Sequence, residues 1–208
     1  MDIAEILGRA PVIPVLTIHE ARQAVPLGRA LIEGGLTVLE VTLRTKAGID
    51  CIAAMAAQVE GAVVGAGTVL TGEMRVAAAA AGASFAVSPG LIEGEGPGGA
   101  IPLLPGIATA GELMRGLAAG FTCFKLFPAN VAGGAAALRA FAAPFPHARF
   151  CPTGGIDARN APDYLALANV VCVGGSWVAP ENLVRAEDWS AITGLARAAS
   201  LLRRPPSA

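Results

Sequence analysis

Short β-branched or apolar runs alternate along the chain with longer stretches whose apolar residues recur at helical spacing. Eight such runs occur at intervals of roughly 16 to 27 residues, and this regular alternation predicts a parallel sheet with crossover helices. The predicted strands begin near Val12, Val38, Val63, Phe85, Ile101, Phe121, Arg149 and Val170. The predicted helices span residues 20–33, 49–59, 72–81, 110–119, 135–142, 161–167 and 188–202.

Eight β/α units in series are the number found in a TIM (β/α)8 barrel. The length of 208 residues lies at the small end of the range for that fold, roughly 200 to 400 residues. We therefore predict a single TIM-barrel domain over residues 1–208, with a short extra helix at residues 2–9 that covers the bottom of the barrel. A doubly wound open sheet with fewer strands is the alternative fold.

One of the eight units has an irregular crossover, at residues 91–99. This segment contains four glycines and a proline, too few good helix formers for a stable helix, so we expect a loop there. The segment also spells Gly-x-Gly-x-x-Gly, the pattern of a dinucleotide-binding turn. Because it carries an internal proline and leads into a strand rather than a helix, we interpret the match as chance.

Three charged side chains are predicted to point into the barrel. Alternate residues of a barrel strand face inward, and catalytic groups collect at the C-terminal strand ends. In the run 38–45 the apolar residues form one face, which places Glu40 and Arg44 on the inner face. In the run 121–130 the same alternation points Lys125 inward, near the end of the strand.

The chain has only two lysines, Lys46 and Lys125, so an inward lysine is unlike routine surface charge. An apolar pocket disfavours the charged form of an amine, and the neutral amine is the nucleophile that a Schiff base requires. The alternative is structural: Lys125 reaches solvent from the strand end or forms a buried ion pair with Glu40. An inward carboxylate and an inward guanidinium beside it favour chemistry, because they supply a general base and a carboxylate anchor.

Paired glycines follow the seventh and eighth predicted strands, in the segments 151–157 and 173–177. The loops after these two strands are where TIM barrels commonly bind phosphate through backbone N–H groups, and glycine lets an oxyanion approach closely. Tight turning is the alternative reason for glycine after a strand. The candidate phosphate ligands are Gly154, Gly155, Gly175 and Ser176.

A threonine ends the third predicted strand. The alternation places Thr68 on the same face as Val64 and Ala66, and we predict this face to be the inner one. Thr68 would then offer a hydroxyl at the mouth of the barrel, although a lone threonine at a strand end is most often structural.

Composition and charge exclude several classes of protein. Apolar residues make up 54% of the chain and charged residues 15%, with a mean hydropathy of +0.59, so the chain is not disordered. A net charge of −1 and the absence of a basic cluster argue against nucleic acid as a partner. The apolar runs are shorter than the ~18 residues of a membrane-spanning helix, and no signal sequence is recognisable. We therefore expect a cytoplasmic protein with no membrane partner.

Cysteine and histidine give little basis for a metal site. The four cysteines, Cys51, Cys123, Cys151 and Cys172, are far apart and form no Cys-x-x-Cys pair, so buried reduced thiols are expected. The chain has two histidines, and neither has a second histidine or a carboxylate cluster near it. We expect neither a metal nor another cofactor.

Taken together, these motifs resemble the class I aldolase family that acts on 2-keto-3-deoxy-6-phosphogluconate (KDPG) and 4-hydroxy-2-oxoglutarate (KHG). The resemblance covers nearly the whole chain, with the motifs in the order of the family. They are VLEVTLRT, VGAGTVL, SPGL, IPLLPGIAT, FKLFPAN, RFCPTGGI and VGGSW. The resemblance implies a homotrimeric TIM barrel that cleaves KDPG to pyruvate and glyceraldehyde 3-phosphate without a cofactor, with cleavage of KHG to pyruvate and glyoxylate as a second reaction.

The resemblance also implies a role for each matching residue. Lys125 forms the Schiff base with the 2-oxo carbon, and Glu40 shuttles protons. Thr153 is typical of the phosphogluconate enzymes, since those acting on the phosphogalactonate epimer tend to carry valine. The residues matched to the rest of the substrate are Arg44, Thr68, Pro89, Phe127 and Thr153, and those matched to its phosphate are Gly154, Gly155 and Ser176. The chain departs from the family at 91–99, which is shorter than the family's fourth helix.

Two other functions fit the same architecture. A phosphosugar isomerase or epimerase would use Glu40 as its base, with Lys125 only electrostatic. A barrel without catalytic activity would bind a phosphorylated metabolite.

Overall fold

The computed structural model of this chain describes residues 1–202. Residues 203–208, which the predicted domain includes, lie outside the described residues. The strands are β1 (Val12–Leu16), β2 (Val38–Thr42), β3 (Val63–Gly67), β4 (Phe85–Val87), β5 (Leu103–Leu104), β6 (Gly106–Ile107), β7 (Cys123–Leu126), β8 (Arg149–Pro152) and β9 (Val173–Gly175). No helix within residues 1–202 is long and apolar enough to cross a membrane.

The helices follow the strands in alternation. They are α1 (Ile3–Gly8), α2 (Ala24–Glu33), α3 (Gly48–Gln58), α4 (Gly72–Ala80), α5 (Ala110–Ala118), α6 (Gly134–Ala142), α7 (Ala161–Leu165), α8 (Glu181–Ala186) and α9 (Trp189–Ser200). A 3-10 turn, Ala21–Gln23, leads into α2. Helix α8 is not among the predicted helices. It begins after Pro180, whose fixed backbone starts a helix that has too few residues to show a clear period.

Every strand pairing is parallel, which confirms the predicted α/β fold with a parallel sheet. A curled sheet of six strands has the order β5-β4-β3-β2-β1-β9, and a second sheet has the order β6-β7-β8. The predicted strand near Ile101 is divided into β5 and β6 at Pro105. Proline has no N–H to donate to a ladder, although its carbonyl still accepts from the Lys125 N–H at 2.8 Å.

The apolar side chains form two clusters on opposite faces of the strands. The larger cluster lies between the strands and the helices, and includes Leu39 and Val41 of β2. The smaller cluster joins Ile6 and Leu7 of α1 to the inward side chains at the strand beginnings, such as Phe85. Alternation along each strand therefore divides the residues as predicted for β2, and Ile6 and Leu7 of α1 pack with the inner set.

All four cysteines are buried and none forms a disulfide within the described residues, in agreement with the sequence. Cys51 lies on α3 in the outer cluster, whereas the other three belong to the inner cluster. Burial raises the pKa of the Cys51 thiol to about 11, and burial likewise raises the pKa of Cys123. Both thiols therefore stay protonated, and act as small apolar groups, well above neutral pH.

The segment predicted as a loop is a loop, and a buried arginine organises it. No helix occurs between β4 and β5, and Arg75 of α4 is only 2% exposed. The Arg75 Nε donates to the Ile101 carbonyl at 2.9 Å, and one terminal nitrogen donates to the Gly96 carbonyl at 3.1 Å. The guanidinium also contacts the carboxylate of Glu95 and the carbonyl of Gly98. It thus satisfies carbonyls that a crossover helix would have paired internally.

Replacing this arginine should unfold the loop first. In Arg75→Leu the Glu95 carboxylate and several carbonyls lose their donor, so we expect the free energy of unfolding to fall by about 2–4 kcal/mol. Urea unfolding followed by circular dichroism measures the change. Arg115→Leu, at an exposed position on α5, is the control and should change stability by about 0.5 kcal/mol or less. Equal stability of the two variants would contradict this role for Arg75.

The raised pKa of Cys51 predicts a loss of stability at alkaline pH. The unfolded thiol ionises near its ordinary pKa of 9.0, while the folded thiol keeps its proton until about 11, so rising pH favours the unfolded state between these values. Between pH 8 and pH 10 the wild type should lose about 1 kcal/mol more stability than Cys51→Ala. Urea unfolding at the two pH values tests this, and parallel losses in both proteins would contradict it.

Candidate active site

Two opposite charges meet inside the sheet. Lys125 lies on β7 and Glu40 on β2, and each residue is only 3% exposed. The Lys125 Nζ lies 3.3 Å from the Glu40 Oε1, so the two form a buried ion pair between residues 85 positions apart. The same Nζ lies 5.1 Å from the ring centre of Phe127, within reach of a cation–π contact. The alternation of β2 and β7 thus brings the two predicted groups together.

A glycine on the neighbouring strand, Gly67, makes room for this pair. Glu40 lies beside Gly65 in the pairing of β2 with β3. A methyl group added at Gly67 would overlap the Glu40 carboxylate, and one added at Gly65 would overlap the ring of Phe85. Since any larger residue at Gly67 would displace the carboxylate, this glycine fixes where Glu40 can lie.

Arg44 and Thr68 meet at the mouth of the sheet, but not by the strand alternation that the sequence suggested. Strand β2 ends at Thr42, so Arg44 lies beyond it in a turn and is exposed rather than inward. Its Nε donates to the Thr68 Oγ1 at 3.2 Å. The predicted inner face of β3 is wrong, because Val64 and Ala66 belong to the outer cluster against the helices.

The conformation of Thr68 explains why it nevertheless reaches the mouth. Strand β3 ends at Gly67, and Thr68 has a φ of 60°, in the left-handed region that a β-branched residue rarely adopts. This conformation costs about 1–3 kcal/mol, and such strain is concentrated at functional sites. It turns the Thr68 hydroxyl towards Arg44.

A cavity of about 450 Å³ opens at the carboxyl ends of the strands. Seven of its lining residues are predicted site residues: Arg44, Phe127, Thr153, Gly154, Gly155, Gly175 and Ser176. The other lining residues are Val15, Thr17, Ile156, Ala179, Pro180 and Glu181. The ion pair does not line this cavity. It adjoins the cavity through Phe127, whose ring borders the cavity and lies beside the Lys125 amine.

The glycine pair after β8 requires glycine for two reasons. Gly154 and Gly155 have φ angles of 100° and 72°, and a methyl at Gly155 would overlap the side chain of Asn130. The carbonyl of Gly154 accepts from the Asn130 N–H at 3.1 Å, which leaves this loop close against the segment after β7. The loop therefore borders the cavity with backbone and no side chain, the arrangement that lets an anion approach N–H groups.

Thr153 and Pro89 occupy other edges of the site. Thr153 is buried and pairs with Gly174, where an added methyl would overlap its hydroxyl. Pro89 does not line the cavity. Its carbonyl lies against Gly106 so closely that a methyl there would overlap it.

Sequence reasoning missed two kinds of lining residue. Val15 on β1 and Thr17 directly after it follow Ile13 at alternate positions, so the alternation applied to the other strands would have found them. Glu181 could not be found in this way, because it begins the helix α8 that the periodicity did not reveal. Among residues 1–202 no group of three or more His, Cys, Asp or Glu side chains could hold a metal ion.

Comparison with known proteins gives a consistent picture. A family model described as "Aldolase: KDPG and KHG aldolase" matches residues 3–195. The chain is 50% identical over 197 residues to the "KHG/KDPG aldolase" of Escherichia coli (strain K12), covering 93% of this chain and 92% of that relative.

Two solved structures are similar throughout. The chain resembles the KDPG aldolase of Legionella pneumophila, whose structure holds pyruvate captured as a covalent carbinolamine. The TM-score is 0.94 at 45% sequence identity, and the match covers 96% of this chain and 98% of that one. It also resembles the KDPG aldolase of Zymomonas mobilis ZM4 with 3-phosphoglycerate, with a TM-score of 0.93, 46% identity and coverage of 100% and 99%.

Proposed function

The chain belongs to the KDPG and KHG aldolase family, and from this premise we propose that it is a class I aldolase that cleaves KDPG to pyruvate and glyceraldehyde 3-phosphate. The observation that carries the proposal is the buried Lys125 amine, 3.3 Å from the Glu40 carboxylate and beside the cavity. The carbinolamine in the L. pneumophila relative is the kind of adduct that such an amine forms with a 2-oxo acid.

The first half of the reaction builds an electron sink. Glu40 takes a proton from the Lys125 ammonium, and the neutral amine forms an N–C bond to C2 of the substrate while the C2 carbonyl electrons move to oxygen. A proton then passes from the nitrogen to that oxygen and gives a neutral carbinolamine. Glu40 gives its proton to the new hydroxyl, which leaves as water, so that an iminium forms and the Glu40 carboxylate is regenerated. The iminium supplies the electron withdrawal that a metal ion supplies in other aldolases.

The second half breaks and repairs bonds at C3. Glu40 accepts the proton of the C4 hydroxyl, a carbonyl forms at C4, and the electrons of the C3–C4 bond move into the iminium to give an enamine. Glyceraldehyde 3-phosphate leaves. Glu40 returns its proton to C3, water adds at C2, and pyruvate leaves with the amine regenerated. One carboxylate thus serves in turn as base and acid.

The cavity residues hold the two ends of the substrate. Arg44 and Thr68 hold the carboxylate of the 2-oxo acid. Thr153 and Phe127 border its carbon chain, whereas Pro89, which the resemblance matched to the same part, is packed against Gly106 outside the cavity. The phosphate lies at the loops of Gly154, Gly155, Gly175 and Ser176, which border the cavity with backbone groups and one hydroxyl. The phosphate-bearing ligand in the Z. mobilis relative is consistent with this arrangement.

KHG is the second substrate we propose, because the E. coli relative is named for both substrates. Its cleavage at the same bond gives pyruvate and glyoxylate. A phosphosugar isomerase remains the contrasting function, and it would use Glu40 without any covalent bond to Lys125.

We propose further that the two sheets form one closed (β/α)8 barrel with α1 beneath it. Only Pro105 separates β5 from β6, so the two segments count as one strand and the total becomes eight. Isolated bridges from Phe150 to Val170 and from Thr153 to Gly174 connect β8 to the chain that forms β9. Both observations support closure between the sheets.

The remaining expectations concern the setting of the enzyme. A homotrimer is implied by the resemblance, and exposed apolar side chains such as Met114 and Val131 are consistent with subunit contacts. Cysteines that form no disulfide within residues 1–202 fit a reducing cytoplasm. Cleavage of KDPG would place the enzyme in the Entner-Doudoroff pathway.

A trapped Schiff base tests the proposal directly. Incubation with pyruvate and borohydride should add one reduced pyruvyl group, and peptide mapping should locate it at Lys125. Lys125→Ala should give no adduct and should lose retro-aldol turnover by at least about a thousandfold. Absence of an adduct in the wild type, or turnover by the variant, would overturn the aldolase proposal.

The position of Glu40 can be tested without altering Glu40. In Gly67→Ala the added methyl displaces the carboxylate, so we expect kcat for KDPG cleavage to fall about 10- to 100-fold while the pyruvyl adduct at Lys125 still forms. Gly194→Ala on α9 is the matched control, because a methyl there meets no atom within 4 Å. Steady-state kinetics with KDPG measure both variants, and wild-type kcat in Gly67→Ala would contradict this role for Glu40.

A further inference from the structure

The phosphate end of the cavity contains a charge that does not suit a phosphate. Two charged residues line the cavity, Arg44 and Glu181. Glu181 is exposed and stands in the first turn of α8, close in sequence to Ser176. None of the ion pairs among residues 1–202 involves it, so its negative charge is not neutralised by a neighbour.

The two charges lie on different parts of the cavity wall. Arg44 is bonded to Thr68, beyond the ends of β2 and β3. Glu181 follows β9 on the side where Gly175 and Ser176 supply backbone and hydroxyl groups. The end proposed for the phosphate therefore has neutral donors and a carboxylate. The one cation of its loops within residues 1–202, Arg159, pairs with Asp157 and does not line the cavity.

Two basic side chains other than Arg44 line a second cavity together with Glu181. This cavity of about 260 Å³ shares Thr17 and Glu181 with the first, and His19 and Arg185 line it. Neither of these two residues lines the first cavity. Glu181 thus separates the two spaces and presents its charge to both.

Resting on the proposed function, we propose that Glu181 sets the preference of this enzyme between phosphorylated and unphosphorylated substrates. Its carboxylate repels the phosphate dianion, whereas it accepts a hydrogen bond from a terminal hydroxyl. Glu181 is thus a specificity-determining residue, and it lowers the advantage of KDPG over 2-keto-3-deoxygluconate, the same sugar acid without its phosphate.

The test compares Glu181→Gln with the wild type on these two substrates. Glutamine keeps the size and the acceptor oxygen but removes the charge, so kcat/KM for KDPG should rise about three- to tenfold. The value for 2-keto-3-deoxygluconate should stay within about twofold of the wild type. In 1 M NaCl the gain on KDPG should shrink, because salt screens an exposed charge.

Asp163→Asn is the matched control. Asp163 is also an exposed carboxylate in the first turn of a short helix, α7, but it does not line the cavity. Any loss of helix stability from removing the charge is shared by both variants, whereas the gain on KDPG should occur in Glu181→Gln alone.

Binding gives a readout that does not depend on turnover. Calorimetry with 3-phosphoglycerate should show a Kd for Glu181→Gln lower than that of the wild type by the same factor. A wild type that forms no pyruvyl adduct overturns the proposed aldolase, and the calorimetry still decides the role of Glu181. The inference is overturned if Glu181→Gln binds 3-phosphoglycerate no more tightly than the wild type and keeps the wild-type preference for KDPG. It is also overturned if kcat/KM rises equally for KDPG and for 2-keto-3-deoxygluconate.

Discussion

The buried pair of Lys125 and Glu40 is the constraint on which the rest of the site depends. An unpaired charge in this interior would cost several kcal/mol, so each side chain requires the other. The pair also needs space, which Gly67 of β3 provides, and Phe127 connects it to the cavity. A buried ion pair adds little to the stability of the fold, since well-packed apolar residues of similar volume in its place would stabilise the fold equally well. Its chemistry is the better reason for its presence.

The two ends of the sheet differ in polarity: one end is apolar and the other is polar. At the strand beginnings, Ile6 and Leu7 join inward apolar side chains and three cysteines in a cluster without charge. At the carboxyl ends of the strands, hydroxyl groups and the backbone of glycine turns line the cavity. The ion pair lies between a closed apolar base and an open polar mouth, so substrate reaches the amine from one side. The apolar base stabilises the fold, and the loops at the mouth are free to vary in chemistry.

Alternation along the strands was sufficient to find the pair, and it failed where regular strand geometry ends. Glu40 and Lys125 lie within β2 and β7, where successive side chains must point to opposite faces. Arg44 and Thr68 lie beyond strand ends, and the φ of 60° at Thr68 is a conformation that no period in the sequence encodes. Helix α8 was missed because six residues carry little periodicity. With it Glu181 was missed, although it borders the cavity directly.

The loop at residues 91–99 shows what composition can and cannot predict. Glycine and proline content correctly excluded a helix, but it could not reveal that Arg75, some twenty positions earlier, would bond the loop carbonyls. A helix satisfies its own backbone, whereas a loop in the same place needs donors from elsewhere, and a buried guanidinium offers five of them. Arg75 is anchored on α4, and none of its hydrogen bonds reaches the cavity. Arg75 therefore holds this crossover together without contacting the cavity beside Lys125.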